Sequence, residues 1–329
     1  MSESVLPPLP DQAYAGAGDG KVPQLSYFNR PLLNKPHWDE QVVTYLFLGG
    51  AMGGSGMLAA LAQRSENEPL ARTSRYLSLA LAIACPAVLI SHLGRPERFH
   101  HMMRIVKIKS PMSLGVWGLV GFGMFAGVNA AAQLSRDRVL PAWIQRLEPK
   151  PVSVGMQALF GAFIAGYTGV LLSATAIPVW AKGKYHIPAA SVCSAMASAC
   201  ALNSIALAAD GNGGAAQHKL ERLEACASLL ELGLLLHFRG YAGDTGKPMF
   251  EGARGERFRT WTMGAGILAP LALNAVSLLT RNHKKRPFAL RALLAGALTL
   301  AGGYVFRETL IEAGKASSED PEQAFYQVK

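Results

Sequence analysis

Charge is scarce in this chain. Asp, Glu, Lys and Arg make up 16% of its 329 residues, against 50% hydrophobic residues, a balance too apolar for an ordinary soluble globule. Cysteine is scarcer still. Cys85, Cys193, Cys200 and Cys226 lie separately inside apolar stretches, with no close pair to hold an iron-sulfur cluster, and they read as small packing residues. The N-terminus lacks a charged start followed at once by an apolar core, so no cleavable secretory signal is visible. Histidine is missing from the depths of the apolar runs: His92 and His237 fall at their ends, and His100, His101, His186, His218 and His283 in or beside the breaks. A membrane cytochrome b needs axial histidines well inside facing helices. No haem, iron-sulfur cluster or other metal is therefore expected in this chain.

What the chain has instead is length of apolar sequence. A bilayer core of roughly 30 Å takes about 20 mostly apolar residues per helix, and eight such runs follow one another. They are Val42 to Leu61, Tyr76 to His92, Ser113 to Gln133, Val154 to Ala176, Ile187 to Ala209, Leu220 to His237, Thr260 to Leu279 and Phe288 to Phe306. The expectation is an all-α polytopic membrane protein of about eight transmembrane helices, arranged as two four-helix bundles over 37–180 and 181–306. Residues 1–36, rich in Pro, Gly and Asp, suit an extended arm that Tyr27 and Phe28 anchor to a partner. Residues 307–329 form a polar, acidic tail whose first part continues the last helix.

An even number of spans puts both termini on one face, side A, together with the two longest breaks, Gly94 to Met112 and Arg239 to Arg259. The formal charge of +10 collects between the runs, where lipid headgroups reward it, so nucleic-acid binding is not needed to explain it. Lys and Arg divide almost evenly between the two faces, and charge bias selects neither as cytoplasmic. Trp38, Trp180 and Trp261 fall near membrane edges on side A, and Trp143 on side B, as amphipathic indoles do. Gly49, Gly50, Gly53 and Gly54 give helix one a smooth surface, read as tight helix packing or as the wall of a slot for a flat ligand.

The most informative break runs Ser91-His92-Leu93-Gly94-Arg95-Pro96-Glu97-Arg98-Phe99, then Arg104, Ser110-Pro111-Met112-Ser113 and Gly115-Val116-Trp117. Gly94 and Pro96 enforce a turn, Ser110 and Pro111 start a helix, and the arginines form a cationic collar. In that order these residues resemble the NrfD/PsrC family, the membrane subunits of polysulfide, nitrite and related respiratory reductases. Tyr45-Leu46-Phe47-Leu48-Gly49-Gly50 and Gly166-Tyr167-Thr168-Gly169-Val170-Leu171-Leu172 agree with it as well.

The resemblance implies an integral subunit of the bacterial or archaeal cytoplasmic membrane that exchanges electrons between menaquinone or ubiquinone and an iron-sulfur partner. That ferredoxin-like subunit would dock on side A, beside a catalytic subunit carrying molybdopterin or multiple haems. The resemblance also puts the quinone among the first four helices, with Tyr167 as a ligand and polar groups around Gln41 and Tyr45 at the start of helix one. Alternating helix directions bring Gln41, Tyr45, His92 and Tyr167 to the same half of the membrane. Imidazole is suited to passing a proton near neutral pH, so His92 is a candidate proton acceptor, with Asp39, Glu40 and Glu97 as onward carriers.

Glu224 and Glu231 lie on one face of helix six, about 10 Å apart along the axis. Intramembrane acids point to function by default, and both are candidate proton carriers from side B. The structural alternative is neutralisation by Arg222, Arg239 or another base. Two further functional readings stay open: a passive membrane anchor of a redox complex, and a secondary transporter, with Pro178 and Pro270 as helix breaks.

Overall fold

The computed structural model describes residues 33–139, 148–211, 214–280 and 285–320. α1 (Glu40–Arg64), α2 (Glu68–Ser91), α3 (Pro111–Arg136) and α4 (Pro151–Ser173) come first, with a 3-10 segment, Pro96–Met103, between α2 and α3. The single turn α5 (Pro178–Lys182) leads into α6 (His186–Ala209) and α7 (Gly214–Ala242). α8 (Lys247–Phe250) and α9 (Gly252–Arg257) fill the next connection. A π-helical stretch, Phe258–Leu268, then runs into α10 (Ala269–Thr280), and α11 (Lys285–Glu319) completes the order. No strand occurs among the described residues, and the chain is all-α.

Five of these helices, α1, α2, α3, α4 and α6, are long and apolar enough to cross a bilayer, and the chain is an integral membrane protein. The last three apolar runs are helical too, in α7, in the π-helical stretch with α10, and in α11. Most of the expected arm, with Tyr27 and Phe28, lies outside the described residues, as do Trp143 and His283. At the arm's end, Leu33 packs on the main apolar cluster and Lys35 pairs with Glu319 at 2.8 Å. The 35 residues of α11 rise about 52 Å at 1.5 Å each, so the last helix continues well past Arg307. Leu310, Ile311 and Ala313 in that extension are buried.

Local sequence explains the helix starts. Pro111 and Pro151 occupy first-turn positions, where a missing N–H costs nothing. The Ser110 side chain accepts from Ser113 N, and Asn67 does the same for α2 through Leu70 N.

α1 is the shaft of the molecule, packing on α2, α4, α6 and α11. Its glycines make this possible: a Cβ on Gly53 would lie 2.3 Å from the Gly161 carbonyl oxygen on α4, and one on Gly54 would lie 2.6 Å from the Ala195 carbonyl oxygen on α6. At these two positions the smooth surface is for packing backbones.

One tryptophan departs from expectation. Trp180 lies just past the end of α4 but is fully buried instead of facing lipid. α5 turns its indole inward, where it stacks on Trp38 at 5.0 Å and donates from Nε1 to the Leu310 carbonyl at 2.7 Å. Gly314 leaves room for the ring. Trp261 is about half exposed.

Gly53→Val should force α1 from α4 and destabilise the fold by roughly 1–3 kcal/mol. Thermal unfolding in detergent would show a lower midpoint, whereas an unchanged one would contradict the backbone contact.

Candidate functional site

A cavity of about 180 Å³ opens among α1, α2, α3 and α4, between the side A ends of these helices. Its wall is mostly aliphatic, from residues such as Val42, Leu46, Leu89 and Ile164, with Met102 and Met112 at the connection between α2 and α3. Polar residues from distant parts of the chain interrupt it, among them Tyr45 from α1, His92 from the end of α2, and Tyr167 and Thr168 from α4. Gln41 does not join them. It is exposed in the first turn of α1 and contributes nothing to the wall. Gly49 does line the cavity, so the glycine surface packs backbones at one level and borders a slot at another.

The break between α2 and α3 builds the seat for Tyr167. Its hydroxyl donates to the Pro111 carbonyl at 3.0 Å, and its ring lies over Gly115, where a Cβ would come within 2.3 Å. Ser113 holds the strand of chain before it, accepting from Lys107 N at 3.0 Å and donating to the Ile105 carbonyl at 3.2 Å. The spacing from Ser110 to Gly115 thus has a physical reason: a cap, a carbonyl acceptor and a gap for the ring.

His92 reaches outward from the cavity. Its Nδ1 lies 3.1 Å from a carboxylate oxygen of Asp39, which is exposed on side A. Glu40 and Glu97, the other acids expected nearby, are exposed. Arg95 and Arg98 are exposed on the same face.

A second set of polar groups is buried behind α1. At its side B end, Glu221 meets Arg291 at 3.2 Å and His218 at 3.3 Å. One turn on, Glu224 accepts from Thr299 Oγ1 at 2.7 Å and from Asn274 Nδ2 at 3.2 Å. Thr299 and Glu231 face one small cavity together with Ser194 and Thr262. Ser194 accepts from Arg307 Nη1 at 3.2 Å. Arg307 is fully buried, also donates to the Gly303 carbonyl at 2.7 Å, and sits over the Phe47 ring at 5.6 Å. A Cβ on Gly50 would lie 2.7 Å from its Nη2. The series therefore ends against the back of the helix whose next residue, Gly49, lines the cavity.

The chain matches the family described as "Polysulphide reductase, NrfD" over residues 31–317. It belongs to the NrfD family. It is 29% identical to Protein NrfD of Escherichia coli over 307 residues, which cover 84% of this chain and 95% of that protein. It is 26% identical to the NrfD homolog of Haemophilus influenzae over 310 residues, covering 84% and 94%.

In this NrfD-family chain the buried base on the Glu231 side is Arg307, which bonds the Ser194 that lines the same small cavity as Glu231, while Arg222 and Arg239, the bases expected from sequence, are exposed. Arg307 was invisible as a site residue because an arginine after an apolar run reads as the end of a span. The signal available was the apolar sequence Thr309-Leu310-Ile311 just beyond it. Arg307→Met should strand the buried Glu231 and destabilise the protein by about 3–5 kcal/mol. Adding Glu231→Gln should recover part of that loss in a thermal-unfolding double-mutant cycle. Additive effects would show that the two side chains do not interact.

Proposed function

We propose that the cavity at Tyr45, His92 and Tyr167 binds the ring of a membrane quinol, and that the chain is the quinone-reactive subunit of a multi-subunit oxidoreductase. The observation that carries this reading is the convergence of three polar side chains from three helices on one aliphatic cavity, with His92 bonded outward to Asp39. Such a lining suits an apolar ligand with a few oxygens to orient.

The hydrogen bonds favour the reduced ligand. Tyr167 donates its hydroxyl hydrogen bond to the Pro111 carbonyl, which leaves its oxygen free to accept from a quinol O–H. Oxidation of a quinol to a quinone releases two electrons and two protons. His92 takes the two protons one after the other, and Asp39 passes each to side A before the next is taken. The electrons leave to an iron-sulfur partner docked on that face. The nature of that partner, the catalytic subunit beyond it and the bacterial or archaeal cytoplasmic membrane as location rest on the family alone.

Tyr167→Phe keeps the ring over Gly115 and removes the hydroxyl. In the purified complex it should weaken quinol affinity and slow quinol oxidation about tenfold, since a lost hydrogen bond is worth on the order of 1 kcal/mol or more. Full activity with unchanged affinity would remove Tyr167 from the site. Absence of quinone from the intact complex would favour a passive anchor.

A second function, proton movement from side B, is supported by the buried series from Glu221 through Glu224 to Glu231. Thr299 bonds Glu224 and lines the same small cavity as Glu231, so one hydroxyl belongs to the surroundings of both carboxyl groups. Glu231→Gln keeps the shape and removes the exchangeable charge. In sealed vesicles it should abolish most of the proton uptake coupled to turnover while leaving quinol binding intact. Unchanged uptake would rule the series out as a path.

A further inference from the structure

We propose that the outer face of α7, together with α5 and the start of α6, binds the phosphodiester headgroup of an anionic membrane phospholipid. This surface lies on the other side of α6 and α7 from the quinol cavity and has no part in the functions described above.

The face divides into two zones. Along α7, Leu229, Leu230, Gly233 and Leu236 are all exposed and fall on one side of the helix. Nothing lies within 4 Å of a Cβ built on Gly233, so the missing side chain leaves an open gap in the apolar face between Leu229, Leu230 and Leu236. One turn nearer side A the same face turns polar. His237 and Tyr241 continue it, and the short α5 brings Lys182 alongside.

The polar zone is a built surface. The His186 and His237 rings are hydrogen-bonded, Nε2 to Nδ1, at 2.8 Å, and the Tyr241 ring lies nearly parallel to His237, with an angle of 8° between them. His186 also stacks on Tyr241 at 5.1 Å, and the Lys182 ammonium stands 4.8 Å from the centre of that ring. The stack holds one lysine in place by cation–π attraction, and Lys184 is held in the same way over Tyr185 at 5.0 Å. Among the described residues, no carboxylate lies within ion-pairing distance of Lys182, Lys184 or Arg239.

Fixed cations without carboxylate partners, above an apolar notch and beside exposed tyrosines, match an anionic lipid part by part. The phosphate meets the lysines, the glycerol region meets the aromatic stack, and one chain follows α7 downward. Lysines near the surface of a membrane attract acidic lipids by about the thermal energy or more each, and tyrosines favour the same depth. An acidic protein partner would satisfy the lysines but would leave the notch below them unexplained.

The test uses the intact complex in detergent, titrated with cardiolipin, phosphatidylglycerol or phosphatidylcholine and read as lipid-bound states by native mass spectrometry. The wild-type chain should retain the two anionic lipids in preference to phosphatidylcholine. Lys182→Gln with Lys184→Gln should weaken that retention roughly tenfold or more, with quinol affinity unchanged. Gly233→Leu, which fills the notch and leaves the charges, should weaken it as well. Three results would overturn the proposal: equal retention of all three lipids, displacement of the bound lipid by inorganic phosphate alone, or loss of a protein subunit in the lysine variant while lipid retention stays the same.

Discussion

The contact on which the rest depends is the approach of α1 to α4 and α6 at Gly53 and Gly54, where a single Cβ would collide with a backbone carbonyl. Interhelical packing in a bilayer has no hydrophobic driving force of its own, so close contact between backbones is what holds helices in register. With α1 fixed in this way, its two sides become two environments. Gly49 faces the aliphatic cavity, and Gly50 faces the Arg307 guanidinium.

That arrangement relates the two polar systems. On one side are Tyr45, His92 and Tyr167, open to side A through Asp39. On the other are Glu221, Glu224, Glu231 and Arg307: Glu221 pairs with Arg291, Glu224 accepts from Thr299 and Asn274, and Arg307 donates from Nη1 to Ser194 and Gly303, contacts that offset part of the expense of burying polar and charged groups. One helix, α1, stands between the cavity and the buried Arg307 guanidinium, in surroundings where electrostatic interactions are weakly screened.

Much of this was legible in the sequence, and the parts that were not share a cause. Run length and alternating direction gave the depth of Tyr45, His92 and Tyr167, and the helix start at Ser110 and Pro111 followed from capping chemistry. Depth does not give rotation or burial at a helix end. Gln41 lies one turn from Tyr45 on the same side of α1, yet projects from the first turn into exposure. Trp180 and Arg307 look like boundary residues, but each is buried by a contact far along the chain: Trp180 by Leu310 and Gly314, and Arg307 by Ser194 and Phe47. Pairings over such separations leave no local pattern to read.

The central claim is the place of the quinol. A photoreactive quinone analogue bound to the intact complex, with the crosslinked peptides mapped by mass spectrometry, tests it most directly. The account predicts label on the side A portions of α1, α2 and α4, in peptides carrying Tyr45, His92 and Tyr167, and its loss when excess quinol is present. Competable label confined to α7, α10 or α11 would contradict it.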